Sequence, residues 1–173
     1  MPRWWRRRRL PAALRPTLDP DDRVVGWALT TAGEAVVATR LGLYLPGRAR
    51  LGWHEIHKAV WSGETLTVVP SEVVARREGY VVTADTAPVS VTLPEPGNLP
   101  QAVRARVTRS VSFSAHHRLP GGGVRVVARR VPGRDGLSWA VRYDPGTDPA
   151  APAVTAATDQ FVAGHVAATE GTS

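Results

Sequence analysis

The sequence predicts a mainly β fold: a seven-stranded bent sheet or partly open barrel capped by a helix, followed by a β-hairpin and a second helix. Between residues 22 and 93, about seven short segments of alternating β-branched and polar residues are separated by turn residues, the pattern of a sandwich or barrel. Residues 98–112 carry an apolar side chain at every fourth position, which indicates one face of a helix. That stripe consists of Leu99, Val103, Val107 and Val111. Two more alternating segments flank residues 132–136, and an alanine-rich segment follows them.

The strands are organised around residues 34–61, which contain three short apolar segments separated by tight turns. Pro46 and Gly47 supply one turn, because proline fixes φ and glycine accepts the left-handed conformation. Residues 51–56 are predicted to form the third strand. The next strand is predicted to end at Pro70, which lacks the N–H that a central strand donates.

Part of this stretch resembles bacterial pleckstrin-homology-like (PH-like) domains. The resemblance lies in a strand that ends in a Thr-Arg-x-Gly-Leu type of segment, here residues 39–44 (TRLGLY), and in residues 51–56 (LGWHEI) after a short turn. It covers residues 22–112 and implies a binding module without catalysis, of a kind that binds lipids, peptides or no known ligand. The first hairpin loop, residues 31–34, contains no basic residue, which argues against inositol-phosphate binding in the mode that family uses there.

The 173 residues divide into three regions. Residues 1–18 form a basic tail rich in tryptophan and arginine. Residues 19–115 form the PH-like β domain with its capping helix, and residues 116–173 form a hairpin-helix extension packed on that domain.

Composition excludes several classes of function. The chain contains no cysteine, so disulfides, thiolate nucleophiles and cysteine metal sites are excluded. No apolar run approaches the roughly 20 residues that a membrane-spanning helix needs. We therefore expect a cytoplasmic protein, with peripheral attachment at the inner face of the membrane as an alternative.

The net charge of +7 is concentrated in two blocks, residues 1–18 with six arginines and residues 96–134 with eight, neither of which contains an acidic residue. Tryptophans beside arginines in the tail suit an anionic lipid surface, although a solvated terminus explains them as well. The second block predicts a cationic face shared by the helix and the hairpin, or a solvated face paired with acids of the same chain. The candidate contacts with a membrane or an anionic partner are Trp4, Trp5, Arg6, Arg7, Arg8, Arg9, Arg104, Arg106, Arg109, Arg125, Arg129 and Arg130.

No catalytic, cofactor or metal site is predicted. His54 and His57 are three residues apart in a predicted strand, so their side chains should lie on opposite faces, in a structural or surface role. His116 and His117 precede a glycine-rich break at residues 119–123 and are expected in a solvated loop. The sequence thus favours a non-catalytic PH-like module that binds a protein or an anionic membrane surface. The alternative is non-specific nucleic-acid binding through the tail and the arginine block at residues 104–134.

Overall fold

The computed structural model describes residues 8–172. Within that range the chain forms eleven strands and two α-helices. The strands are β1 (Val24–Leu29), β2 (Ala35–Thr39), β3 (Gly42–Tyr44), β4 (Leu51–Gly52), β5 (Ile56–Ser62), β6 (Thr65–Arg77), β7 (Tyr80–Asp85), β8 (Val89–Thr92), β9 (Val111–Leu119), β10 (Gly122–Arg129) and β11 (Ser138–Tyr143). The helices are α1 (Leu99–Ser110) and α2 (Pro152–Glu170). The prediction of a mainly β fold with a capping helix and a C-terminal hairpin and helix is confirmed.

The strands form two sheets. Strands β1 to β4 make a separate antiparallel sheet in sequence order, and the other seven make a curled sheet that forms a half-barrel. The order of the large sheet is β5-β6-β7-β11-β10-β9, with β8 also paired to β6. Strand β11 runs parallel to β7, whereas the other pairs are antiparallel. The seven strands of this sheet are therefore not the first seven of the chain, because the C-terminal hairpin completes it.

Helix α1 covers a core that lies between the small sheet and strands β5, β6 and β8. Its stripe faces this core as predicted: Leu99 and Val103 are fully buried, and Val107 packs against the cluster while half-buried. The helix ends at Ser110, whose hydroxyl donates to the Val107 carbonyl at 2.7 Å. Val111, expected in the helix, is instead the first residue of β9.

Three predicted features of the strands differ in the structure. Strand β6 continues through Pro70 to Arg77 instead of ending at the proline, which lies where the strand passes from β5 to β7 as its partner. Residues 51–56 do not form one strand, because a 3-10 turn, Trp53–Glu55, separates β4 from β5. The expected flexible break at residues 119–123 is a tight turn between β9 and β10, with Gly121 at φ 74°.

A second core lies between helix α2 and one face of the large sheet. Strands β7, β9, β10 and β11 contribute the sheet side, with Val124, Val126 and Val141 almost completely buried. The Tyr80 hydroxyl donates to Asp159 on α2, and burial together with this hydrogen bond raises the pKa of Tyr80 to about 12. The opposite face of these strands is therefore left to form the concave side of the half-barrel.

The described part of the predicted tail packs on the domain. Leu10 is buried, and the Arg8 carbonyl accepts a hydrogen bond of 2.9 Å from the Trp27 indole. The Tyr44 hydroxyl donates to the Thr17 carbonyl at 3.4 Å. Residues 8–18 thus contribute to the fold, while Trp4, Trp5, Arg6 and Arg7 lie outside the described residues.

Candidate functional site

The concave face of the large sheet encloses a cavity of about 320 Å³. Its walls come from β5 to β7 and β9 to β11, and from the turn that precedes β5. A volume of this size is at the lower end of the range for small-molecule sites. Most of the cavity side chains lie on the sheet face opposite α2, and of the lining residues Trp139 and Val141 also belong to the second core.

Strand register places the cavity side chains in rows across the sheet. Val81, Ala140 and Val127 are neighbours on three adjacent strands and form a central apolar row. Arg125 and Arg142 face each other in the next row on one side. On the other side, Arg129 lies opposite Ser138. Because side chains alternate along a strand, the three rows lie on the same face. The site is an apolar strip with guanidinium groups along both edges.

Arg129 is the most enclosed of these arginines. Its guanidinium donates to the Ser110 hydroxyl at 2.7 Å and to the Ile56 carbonyl at 3.4 Å. Burial lowers the pKa of Arg129, and within residues 8–172 no carboxylate lies within ion-pair distance of it. A half-buried guanidinium held only by neutral acceptors keeps an unbalanced positive charge beside the cavity.

The opposite edge of the cavity is also cationic. Arg142 forms an ion pair with Asp85 and donates to the ring of His57. Arg125 lies directly across from Arg142 and donates to the Ser114 hydroxyl at 3.1 Å, with no carboxylate partner in the described chain. Asp85 balances the charge of Arg142, so the positive charge without a carboxylate partner at this edge is that of the exposed Arg125. An anion bound at this edge would pair with Arg125.

His54 and His57 both line this cavity, so the prediction that they lie on opposite faces is wrong. The reason is the 3-10 turn, in which His54 lies, since it removes the two-residue alternation of a strand. Burial lowers the pKa of both rings, and Arg142 lowers that of His57 further. Both therefore stay neutral at pH 7. The Nδ1 atom of His54 is buried with no hydrogen-bond partner in the described residues.

The structure divides the predicted arginine face. Arg125 and Arg129 line the cavity, whereas the other predicted arginines of this block lie outside its walls. Arg104 and Arg109 are exposed on α1, and Arg130 donates to the Ser112 hydroxyl at 3.2 Å. These outer arginines are Arg104, Arg106, Arg109 and Arg130. None of them forms an ion pair with a carboxylate in the part of the chain that is described, so the alternative of a face paired with acids of the same chain is not seen there.

The two tail arginines that are described lie elsewhere on the molecule. Arg8 forms an exposed ion pair with Glu95 at 3.2 Å, and Arg9 borders a wide groove along β1. Exposed pairs of this kind contribute about 0–1 kcal/mol. Neither residue reaches the concave cavity.

His116 and His117 are in strand β9, so the prediction of a solvated loop is wrong. Alternation sends their side chains to opposite faces. His116 bonds to Asp144 at 2.7 Å on the concave side, and His117 stacks on Phe161 of α2 with 3.9 Å between ring centroids. The His117 Nε2 atom also lies 2.8 Å from Nε2 of His165, and burial lowers its pKa. The two histidines therefore anchor different layers.

Sequence reasoning missed Arg142 and the two cavity histidines as site residues. Arg142 could have been found, because pairing the predicted hairpin in register places it beside Arg125 on one face. His54 and His57 required the position of the 3-10 turn, which no sequence signal marks.

Comparison with protein-family models, with curated proteins and with solved structures finds no match to this chain. Neither helix of the described residues is both long and apolar enough to cross a membrane. Between residues 8 and 172, no three histidine, aspartate or glutamate side chains gather in the arrangement of a metal site.

Proposed function

We propose that this protein is a non-catalytic binding module that holds an anionic ligand in the cavity of its half-barrel. The observation that carries the proposal is the half-buried Arg129 guanidinium, which faces the cavity without a carboxylate partner in the described residues. Desolvating a cation is costly unless an opposite charge compensates it. A ligand anion is the compensation that the folded chain itself does not provide at this position.

The shape of the site favours a small ligand over a membrane or a duplex. A cavity of about 320 Å³ admits a small organic anion, whereas a bilayer or a DNA double helix is too large to enter it and would be limited to arginines outside its walls. Glu55 and Glu72 also border the cavity, but neither is within ion-pair distance of the cavity arginines, and Glu55 accepts the Gly52 N–H at 2.7 Å. The cavity edges that carry arginine therefore remain attractive to an anion.

The absence of catalysis is part of the proposal and is supported by the state of the cavity histidines. Arg142 donates to the ring of His57, and within residues 8–172 neither His54 nor His57 is hydrogen-bonded to a carboxylate, so neither ring is oriented as one half of an acid-base pair. We further propose a PH-like arrangement for residues 22–112. It is supported by the β1 to β4 meander and by α1, which covers the core between that meander and the large sheet.

The test is a titration of the folded protein with acetate and with inorganic phosphate, followed through the Nε–Hε resonances of the arginines by NMR. We expect shifts at Arg125 and Arg129 that saturate, and no comparable shift at Arg104 or Arg109. Equal, non-saturating shifts at all four arginines would overturn the proposal, because they would indicate general ionic screening. Duplex DNA serves as the comparison ligand, and binding there with Arg104 and Arg109 shifting first would favour the nucleic-acid alternative.

A further inference from the structure

Two cavity guanidiniums, the half-buried Arg129 and the exposed Arg125, have no carboxylate partner among the described residues and lie on opposite sides of the apolar row. Arg125 and Arg129 are four residues apart on β10, and Val127 stands between them on the same face. Four residues of a strand span about 13 Å between Cα atoms. Arg125 is anchored at Ser114 and Arg129 at Ser110, so each guanidinium has a neutral partner at its own edge. A single anionic group cannot engage both.

The surface between the two guanidiniums is apolar. Val127 lies between them on β10, and Ala140 and Val81 extend the apolar row about 10 Å across the neighbouring strands, perpendicular to the line from Arg125 to Arg129. A hydrated inorganic ion would leave this strip in contact with water. An apolar body that joins the two edges would cross the row over Val127 and gain roughly 25 cal/mol for each Å² of apolar surface it removes from water.

The charges of the two arginines indicate which anionic groups the ligand carries. Each unpaired guanidinium carries one positive charge, and a carboxylate carries one negative charge and accepts two parallel hydrogen bonds from it. A phosphate monoester carries about −1.5 to −2 at pH 7, so two of them would overcompensate the two arginines. From this we infer that the ligand is a small dicarboxylate whose two carboxylates are joined by an apolar body. This inference rests on the proposed function and specifies its ligand class.

The experiment compares dicarboxylates with monocarboxylates of equal carbon number on the intact chain. Adipate, suberate and sebacate are paired with hexanoate, octanoate and decanoate, and dissociation constants are taken from the arginine Nε–Hε shifts. We expect the best dicarboxylate to bind about tenfold more tightly than its monocarboxylate, because it engages a second guanidinium. The advantage should pass through a maximum along the series, since only one spacer length matches the distance between Arg125 and Arg129.

Variants at the two edges identify the contacts. Arg125→Gln and Arg129→Gln should each reduce the affinity for the best dicarboxylate to that of the monocarboxylate. The double variant should bind neither the dicarboxylate nor the monocarboxylate. Arg104→Gln, on the exposed side of α1, is the matched control and should change neither affinity.

The outcomes separate this inference from the proposed function. If monocarboxylates and dicarboxylates bind equally, and both depend on Arg129, the dicarboxylate assignment is overturned while anion binding in the cavity stands. If no carboxylate binds, and acetate and phosphate also fail to shift Arg125 and Arg129, the proposed function itself is overturned.

Discussion

Replacing Arg129 by methionine tests whether this guanidinium serves a ligand or the fold. The substitution removes a charge-assisted hydrogen bond to Ser110, worth about 1.5–3 kcal/mol, and a long contact with the Ile56 carbonyl. It also removes the desolvation cost of the guanidinium, which is several kcal/mol for a fully buried ion and about half of that for a half-buried one. Ser110 keeps its own bond to the Val107 carbonyl, so no hydroxyl is left without a partner. Methionine occupies a similar volume without a charge.

These terms nearly cancel. We expect Arg129→Met to leave the free energy of unfolding unchanged or to raise it by up to about 1 kcal/mol, while it abolishes anion binding. The comparison is Arg142→Met, which leaves Asp85, at the end of β7, without its partner. Because the Asp85 side chain is about one third exposed, at 32%, we expect a loss of about 1–2 kcal/mol rather than the 3–5 kcal/mol of a fully buried pair.

Urea denaturation at pH 7, followed by circular dichroism and extrapolated linearly, measures both changes. The reasoning would be refuted if Arg129→Met lost more than about 2 kcal/mol, the magnitude of a structural hydrogen bond to a charged group. The guanidinium would then have a structural role, linking the end of α1 to the large sheet. Its lack of a carboxylate partner in the described residues would not indicate a ligand.

Three further predictions concern the core, the histidines and the tail. Val103→Asp buries an unpaired carboxylate and should lower the free energy of unfolding by more than about 4 kcal/mol. Val107→Asp should be less severe, because Val107 is only half-buried. Thermal melting measures the order of the two variants, and equal melting temperatures would contradict the placement of α1. Burial, His165 and His116 hold the pKa of His117 below its ordinary value of 6.5, so its contribution to stability is complete above pH 6.5 and is lost as the pH falls through the lowered value. His117→Phe should therefore lose less stability between pH 7 and pH 5 than the unmodified chain in urea denaturation, and identical losses would exclude this role. Deletion of residues 2–7 should abolish binding to anionic vesicles. The melting temperature should stay unchanged, because Leu10 keeps its buried position. Unchanged vesicle binding would show that the tail is not a membrane contact.

Local patterns predicted the elements of the fold better than their partners. The four-residue stripe of α1 was visible because helical periodicity is a local property, and Leu99 and Val103 are buried as it requires. The strand at residues 111–119 was missed, because its polar side chains and two histidines read as a loop, and the α2 face that half-buries Phe113 and His117 is about fifty residues away. Whether such a segment forms a strand depends on its tertiary packing.

The candidate site was only partly predictable for a similar reason. Arg125 and Arg129 were identified from charge, but the sequence does not show that these two line a cavity while Arg104 and Arg109, on α1, lie outside its walls. Pro70 was taken as the end of a strand, because a proline cannot donate in a ladder. In the structure it is a point at which β6 exchanges one partner strand for another, so the missing N–H is tolerated.

The length of β6 has a consequence for how the molecule unfolds. Its first half contributes Leu66 and Val68 to the core under α1, and its second half pairs with β7, which contributes Tyr80 and Val82 to the core under α2. One continuous strand thus links two cores that would otherwise resemble separate cooperative units. The heat absorbed on melting should appear as a single calorimetric peak, with a calorimetric enthalpy equal to the van't Hoff enthalpy. A ligand bound on the concave face should then shift that whole peak, and protect amides on both sides of β6 from exchange with solvent.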